Sequence, residues 1–557
     1  MQLTTPPGGR IRALATIWIA SLVASLAIAI LPGCATTNSP AATRCENLRS
    51  LKLDHVSLVS VRAVSAGRYF LWKTALIGIP FFKVPASCRI TAISTPTNDS
   101  IINIEIWIPL DHWNGRFQGI GNGGFAGSID TMTLALALQK GYAAASTDTG
   151  HEGSDRDGSW ALGHIEKLRD YGFRSIHETA ILAKSLIEAV HGQPPKYSYF
   201  VGGSNGGRQA LIEAQRYPTD YDGVVAGCPA LDPTDTIPVW AWTQQALLHT
   251  PGAYIPADKL DTIADAVTRS CDAQDGVRDG VIENPRACHF DPAVLQCRGA
   301  DANNCLTAAQ VQALRKIYSG PSDEPGTAPV WGFVPGGELG SMGWKDWLTG
   351  SRPQKSVQYH YALEFYRYMV YDNPRWNLDQ FDFVRDRAAV KRRLGPILDA
   401  TDTNLAAFAA RGGKLILFHG WNDPALPPGM TIDYYQQLQE RMGREQTNEF
   451  VRLYMVPGMQ HCFGGPGPNA FGQIPPGGDA DASHNISAAL EHWVEGGESP
   501  AEIVAAKYEN DLQALIAPQK LEPVRTRPIC TYPQIARWSG RGSTDRAENF
   551  SCVTPGP

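Results

Sequence analysis

Four glycines crowd one serine in "YFVGGSNGGRQAL", residues 199–211, and this stretch constrains the fold more than any other. A strand-forming run ends in Gly202-Gly203, Ser204 follows, and Gly206-Gly207 open a helix-forming run. The spacing satisfies G-x-S-x-G, the pattern of a tight strand-to-helix turn in which the serine is strained and its neighbours are packed too closely to carry side chains. Such a turn lifts the Ser204 hydroxyl above the carboxyl edge of a sheet. It also points the N-terminus of the next helix at any negative charge that forms there. Glycine-flanked serines occur in ordinary turns too; the strand before and the helix after set this one apart.

The flanking sequence extends that architecture. "NIEIWIPL", "RFQGIGNGG", "GYAAASTDTG" and "KYSYFVGGS" read as strands, with "SIHETAILAKSLIEAVHG" as an amphipathic helix before the last of them. After Ser204 come the helix "RQALIEAQRYP", the strand "DGVVAGCPA" and, much later, the strand "GKLILFHG". The helix "GMTIDYYQQLQERMG" then leads to the strand "FVRLYMVPG". Alternation of this kind predicts an α/β fold with a largely parallel sheet covered by helices. The block over 231–402 breaks the rhythm and is rich in Trp, Tyr, Pro and Cys, so it reads as an insertion between two sheet strands, leaving 45–230 and 403–557 as the main domain. The chain has 557 residues, more than one hydrophobic core of ~250–300 residues serves. A net charge of −6 offers no basic footprint for nucleic acid.

The N-terminus reads as an address. Arg10 and Arg12 precede the apolar run "ALATIWIASLVASLAIAIL", which ends in "LPGC" at Cys34. Residues 1–34 therefore read as a lipoprotein-type signal with Cys34 as the lipidated residue, and 35–44 as a polar linker. The competing reading is a membrane anchor, because the apolar run is almost long enough to span a bilayer. Both place the body of the protein outside the cytoplasm, in the periplasm, on the outer membrane or released. Beyond Cys34 remain ten of the 11 cysteines, enough for five disulfides in an oxidising compartment. Neighbours in order suggest Cys45 with Cys88, Cys271 with Cys288, Cys297 with Cys305 and Cys530 with Cys552. Connectivity does not follow from sequence alone, and Cys228 and Cys462 are left over.

A serine at such a turn needs a base, and the base needs an orienting acid, in the chain order Ser, Asp or Glu, His. "LILFHGWNDPALPP" places Asp423 just beyond one strand, and "LYMVPGMQHCFGG" places His461 just beyond the final one. Both fall on the edge expected for Ser204. Asp423 also lies in "NDP", a common turn sequence. Of 13 histidines, His492 falls on a helix face, while His151 and His164 precede the serine. Backbone amides for an oxyanion would come from Asn205, directly after the serine, and from Gly124 or Gly123 in "GIGNGGFAG". In "CDAQDGVRDGVIENPRAC", Asp272, Asp275 and Asp279 are spaced by glycines between two cysteines. Hard oxygen ligands in a bent loop suit calcium, with the Val277 and Val281 carbonyls completing the shell; the alternative is a solvated acidic turn.

Together "GIGNGGFAG", "STDTGH", "ALGHIEKLRDYGFRSIHE", "GGSNGGRQA", the acidic loop, "MVYDNPRWNLDQFDF", "RGGKLILFHGWNDPALPP" and "VPGMQHCFGG" resemble the tannase and feruloyl esterase family, which includes mono-hydroxyethyl-terephthalate hydrolase. The resemblance runs from about Cys45 to the C-terminus. It implies an α/β-hydrolase fold with a large inserted lid domain, Ser204, Asp423 and His461 as a catalytic triad, and calcium at Asp272, Asp275, Val277, Asp279 and Val281. In many relatives a cysteine directly precedes the nucleophile and pairs with the cysteine after the catalytic histidine; here Gly203 stands in that place and Cys462 remains. Cys228, at the end of the strand after the helix that follows Ser204, is the candidate replacement partner; two buried unpaired cysteines are the alternative.

Substrate choice is less legible. Aromatics in "ALEFYRYMVYDNPRWNLDQFDF" suit a phenolic acyl group, although such spacing also builds cores. The resemblance implies a small aromatic ester substrate, a ferulate first and gallate or terephthalate monoesters second. The terephthalate branch grips a carboxylate with a lid arginine, and Arg385, Arg387, Arg392 and Arg393 lie in the right region without a matching position. Two further classes compete: a catalytically silent binding lipoprotein and a serine peptidase on the same fold.

Overall fold

Nine strands lie side by side in one sheet: β1 (Val56–Val64), β2 (Ser87–Ser94), β3 (Ile102–Pro109), β4 (Arg116–Ile120), β5 (Ala143–Thr147), β6 (Tyr197–Gly203), β7 (Gly223–Gly227), β8 (Lys414–Gly420) and β9 (Val451–Val456). The computed structural model describes residues 39–69, 82–322, 330–340, 342–473, 481–511 and 521–555. The signal stretch and Cys34 lie outside them. Spatial order is β1-β2-β3-β5-β4-β6-β7-β8-β9, antiparallel from β1 to β5 and parallel from β5 to β9. The parallel strands are buried on both faces, which is why β7 ("GVVAG") is a continuous small and apolar run rather than an alternating one. β1 and β2, the antiparallel edge, were not anticipated; β1 is half exposed and its serines alternate with valines and leucine.

Alternate residues along each strand feed two cores. Phe117, Phe200 and Leu417 join the face covered by the helices Ser175–His191, Asn205–Arg216 and Pro428–Met442. Ile120, Val201 and Phe418 join the face covered by the helices Thr131–Gln139 and Ile486–Gly496. Strand order reverses where β4 meets β6, because β5 lies outside β4. In open α/β sheets the crevice beyond the carboxyl ends at such a reversal is where ligands bind.

The chain leaves the sheet after Gly227 and re-enters it at Lys414. Between them the helices Pro233–Leu248, Leu260–Cys271, Ala308–Ser319, Val357–Glu364 and Phe383–Leu398 bury a third core of their own, with Trp240, Leu314, Phe365 and Leu394. Phe125 and Leu426, from loops at the sheet edge, and Tyr171, from the short helical segment Asp170–Arg174, pack into this core and seat the insertion over that edge.

Two expectations need correction. Residues 40–44 are not linker: Pro40–Asn47 is a helix capped by Ser39, with Ala41, Ala42 and Cys45 buried. Nor does the chain end its strands at β9: β10 (Glu502–Lys507) pairs with β11 (Arg525–Cys530), and β12 (Ile535–Trp538) with β13 (Phe550–Val553). Among the described residues no helix is long and apolar enough to cross a membrane. Bridges join Cys45–Cys88, Cys271–Cys288, Cys297–Cys305, Cys530–Cys552 and Cys228–Cys462, with Cα separations of 5.0–5.7 Å.

Candidate active site

Ser204 sits at φ 60°, ψ −122°, a backbone conformation that costs an L-residue energy and persists only when its surroundings enforce it. Close approach supplies the enforcement. A Cβ on Gly202 would meet the Gly206 carbonyl at 2.5 Å, and one on Gly206 would meet the Gly121 Cα at 3.1 Å. The turn is locked by Ser204 N–H donating to Gly227 O at 2.9 Å and by Ala230 N–H donating to Ser204 O at 3.0 Å.

The loops after β8 and β9 bring Asp423 and His461 to the same edge. His461 Nε2 lies 3.0 Å from Ser204 Oγ, and His461 Nδ1 lies 2.8 Å from Asp423 Oδ2. Asp423 is 2% exposed, yet its Oδ1 accepts from the amides of Ala425 at 2.7 Å and Leu426 at 2.9 Å. Burial alone would raise its pKa, but the two imidazoles of His461 and His419 hold it well below the usual carboxylate range. His419 was missed in the sequence; its only local signal is its place at the end of a strand four residues before the aspartate. The other histidines stand apart. His492 is exposed on its helix, His164 bonds Asp99 at 2.9 Å, and His151 donates to Phe125 O at 2.8 Å.

Ser204 and His461 open on a cavity of about 400 Å³. Trp240, Trp347 and Tyr361 wall it from the insertion, and Trp347 meets the His461 ring edge-on at 4.9 Å. Asn205, Gly123 and Gly124 also line it. The amides of all three find no acceptor among the described residues. Gly124 has φ +53°, and a Cβ there would meet Tyr361 Oη at 2.4 Å, so this close approach also requires glycine.

The insertion's arginines do not reach the cavity. Arg385 pairs with Asp386, Arg387 with Asp235 and Arg393 with Asp372, while Arg392 is exposed. Among the described residues the arginine that lines the cavity is Arg156, from the loop after β5. Cys228 and Cys462 are bridged, so the loop carrying His461 is tied to the end of β7. These two sulfurs and His461 form the one cluster of three metal-ligand side chains among the described residues, but its sulfurs are oxidised and its imidazole is engaged.

The acidic loop is ordered from within. Asp272 Oδ1 accepts from Gly280 N–H at 3.0 Å, Asp275 Oδ1 from Val277 N–H at 2.8 Å and Asp279 Oδ1 from Val281 N–H at 3.0 Å. Burial, reinforced by the charges of Asp279 and Asp272, pushes Asp275 up to about 6. The carbonyls of Val277 and Val281, both buried, accept no hydrogen bond among the described residues. Asp279 turns its Oδ2 to Arg527 on β11 at 2.6 Å, so the three carboxylates do not converge on one point.

The profile of tannase and feruloyl esterase matches residues 88–553. The chain belongs to this family. An uncharacterized esterase of Xanthomonas campestris is 40% identical over 94% of this chain and 93% of its own. The mono(2-hydroxyethyl) terephthalate hydrolase of Piscinibacter sakaiensis is 33% identical over 82% of each chain. The crystal structure of feruloyl esterase B from Aspergillus oryzae superposes with a TM-score of 0.82 at 26% identity, over 92% of this chain and all of that one. The fold is thus an α/β-hydrolase fold, and the protein is a carboxylic ester hydrolase.

Proposed function

We propose that this chain hydrolyses esters of aromatic, feruloyl-type acids through Ser204, His461 and Asp423. The observation that carries this reading is the hydrogen-bonded line Ser204–His461–Asp423 opening on a cavity walled by Trp240, Trp347 and Tyr361. Ser204 Oγ adds to the ester carbonyl carbon while His461 Nε2 takes the hydroxyl proton, and ionised Asp423 supports the imidazolium through Nδ1–H. The amides of Asn205 and Gly124 receive the oxyanion. Collapse breaks the bond to the leaving alcohol, which takes the proton from His461. Water then adds to the acyl-enzyme by the same steps in reverse and releases the acid. The insertion acts as a lid whose aromatic faces hold the acyl ring.

Arg156 favours a second reading. A terephthalate monoester carries a carboxylate, and Arg156 is the cavity arginine available to it; gallate esters fall between the two. Purified protein from Ser39 onward, assayed on methyl ferulate, methyl gallate and mono-hydroxyethyl terephthalate with Ser204→Ala as control, separates them. Preference for the ferulate, lost in the variant, supports the first reading. Preference for the terephthalate, lost on changing Arg156, supports the second.

Calcium at the acidic loop is supported by donor type alone, the free oxygens of Asp272 and Asp275 and the unpartnered carbonyls of Val277 and Val281, and Asp279 would have to turn from Arg527 to join them. A bound ion there supplies positive charge that offsets the mutual repulsion of the carboxylates. Export as a lipoprotein through Cys34, to the periplasm or outer membrane, accords with five disulfides in the folded body.

A further inference from the structure

The Asp423 carboxylate serves two imidazoles. His461 Nδ1 lies 2.8 Å from Oδ2, and His419 Nε2 lies 3.2 Å from the same oxygen. His419 falls near the end of β8 and is 1% exposed. Its Nε2 is also 3.2 Å from Leu426 O, and its Nδ1 is 2.8 Å from Thr431 Oγ1. A carboxylate and a carbonyl only accept, so Nε2 carries a proton; the Thr431 hydroxyl is free to donate to Nδ1. The ring is therefore pinned at both nitrogens, with its Nε2–H donating to Leu426 O and the same nitrogen 3.2 Å from the aspartate oxygen.

Counting donors shows what this contact adds. The amides of Ala425 and Leu426 both fall on Oδ1, so alone they leave Oδ2 free to swing about that anchor. His461 cannot stop the swing, because its own ring is what Asp423 must orient. Three donors bond the carboxylate, and His419 Nε2, whose proton is shared with Leu426 O, is the further N–H-bearing group held against Oδ2 among the described residues. We propose that His419 is a positioning residue for ester hydrolysis: it fixes the rotation of Asp423 and thereby the orientation of His461 toward Ser204. It does not line the cavity and touches no reacting atom. This inference rests on the Ser204–His461–Asp423 reading above.

The test compares His419→Leu, which fills the space without a donor, with His419→Gln, whose side-chain amide can donate from nearly the same place. Methyl ferulate turnover is followed across pH, with melting curves and a Ser204→Ala control. The leucine variant should lower kcat by about 10- to 100-fold, the size expected of a misplaced catalytic group, with KM within about twofold. Its acid limb of kcat/KM should move to lower pH, because a swung carboxylate supports the imidazolium less. Glutamine should restore most of kcat and the limb. Where the leucine variant does not fold, Thr431→Val, which frees Nδ1, should move kcat and the limb the same way. Wild-type kcat and limb in the leucine variant or in Thr431→Val, a glutamine variant as slow as leucine, or a limb that rises with kcat intact would overturn the positioning role. An active Ser204→Ala would instead overturn the triad itself.

Discussion

The bridge between Cys228 and Cys462 is the strongest test of how this chain holds its histidine. The two residues are 234 apart in sequence, and their Cα atoms are 5.6 Å apart. In the chain-entropy account a closed loop of that length stabilises the folded state by up to about 5 kcal/mol. The inner bridges Cys271–Cys288 and Cys297–Cys305 span only 17 and 8 residues, so they shorten the loop too little to matter. With an unfolding entropy of about 2.1 cal/mol/K per residue over roughly 500 ordered residues, that loss corresponds to a fall in Tm of about 5 °C. The catalytic effect should be larger than the thermal one. Cys462 adjoins His461, and releasing it lets the imidazole leave its line between Ser204 and Asp423, where about 1 Å of displacement costs on the order of 100-fold in rate. The double variant Cys228→Ser/Cys462→Ser, which leaves no unpaired thiol, is compared with wild type by melting and by ester turnover. A Tm within about 1 °C of wild type together with unchanged kcat would refute the reasoning, since the bridge would then constrain neither the unfolded chain nor the histidine loop.

Asp423→Asn should lower kcat by about 10³- to 10⁴-fold with little change in KM, because the amide supports the wrong tautomer of His461; steady-state kinetics decide it. Glu213, 1% exposed on the elbow helix, has no donor to either carboxylate oxygen among the described residues, and burial followed by the Asp220 charge raises its pKa well above 4.5. The folded state therefore holds a proton that the unfolded state loses above pH 4.5, so this residue subtracts stability as pH rises. Glu213→Gln should melt higher than wild type at pH 8, with the gap closing as pH falls toward 4.5. Chelation with EGTA should lower Tm and added calcium restore it, with kcat below the melt unchanged, because Asp272, Asp275 and Asp279 lie outside the cavity lining; Asp275→Asn should remove the response.

What could be read directly were features carried by contiguous residues. The elbow is written in the glycines of "GGSNGG", because each close approach there is to a neighbour a few positions along or to the adjacent strand end. Asp423 and His461 could be placed because a parallel sheet sends every strand's carboxyl end to one edge, and both directly follow strands. The short-range cysteine pairs were legible for the same reason. β1, β2 and the C-terminal strand pairs were not: β1 exposes Val59 among its serines, β2 mixes polar residues into its buried positions, and β10 to β13 are only four to six residues long.

Only the tertiary structure decided which groups meet. The insertion's arginines stood near the right motifs, yet each of Arg385, Arg387 and Arg393 is spent on a carboxylate of the insertion, and Arg156 from another loop faces the cavity. Arg527 answers Asp279 across 248 residues, and His419 turns inward to Asp423. The sequence by itself determined the fold class, the serine turn and the placing of Asp423 and His461 at strand ends, because backbone sterics and hydrophobic periodicity act over a few residues. Charge pairing, donor geometry and cavity lining depend on side chains distant in the chain, and packing alone selects among their many equivalent partners.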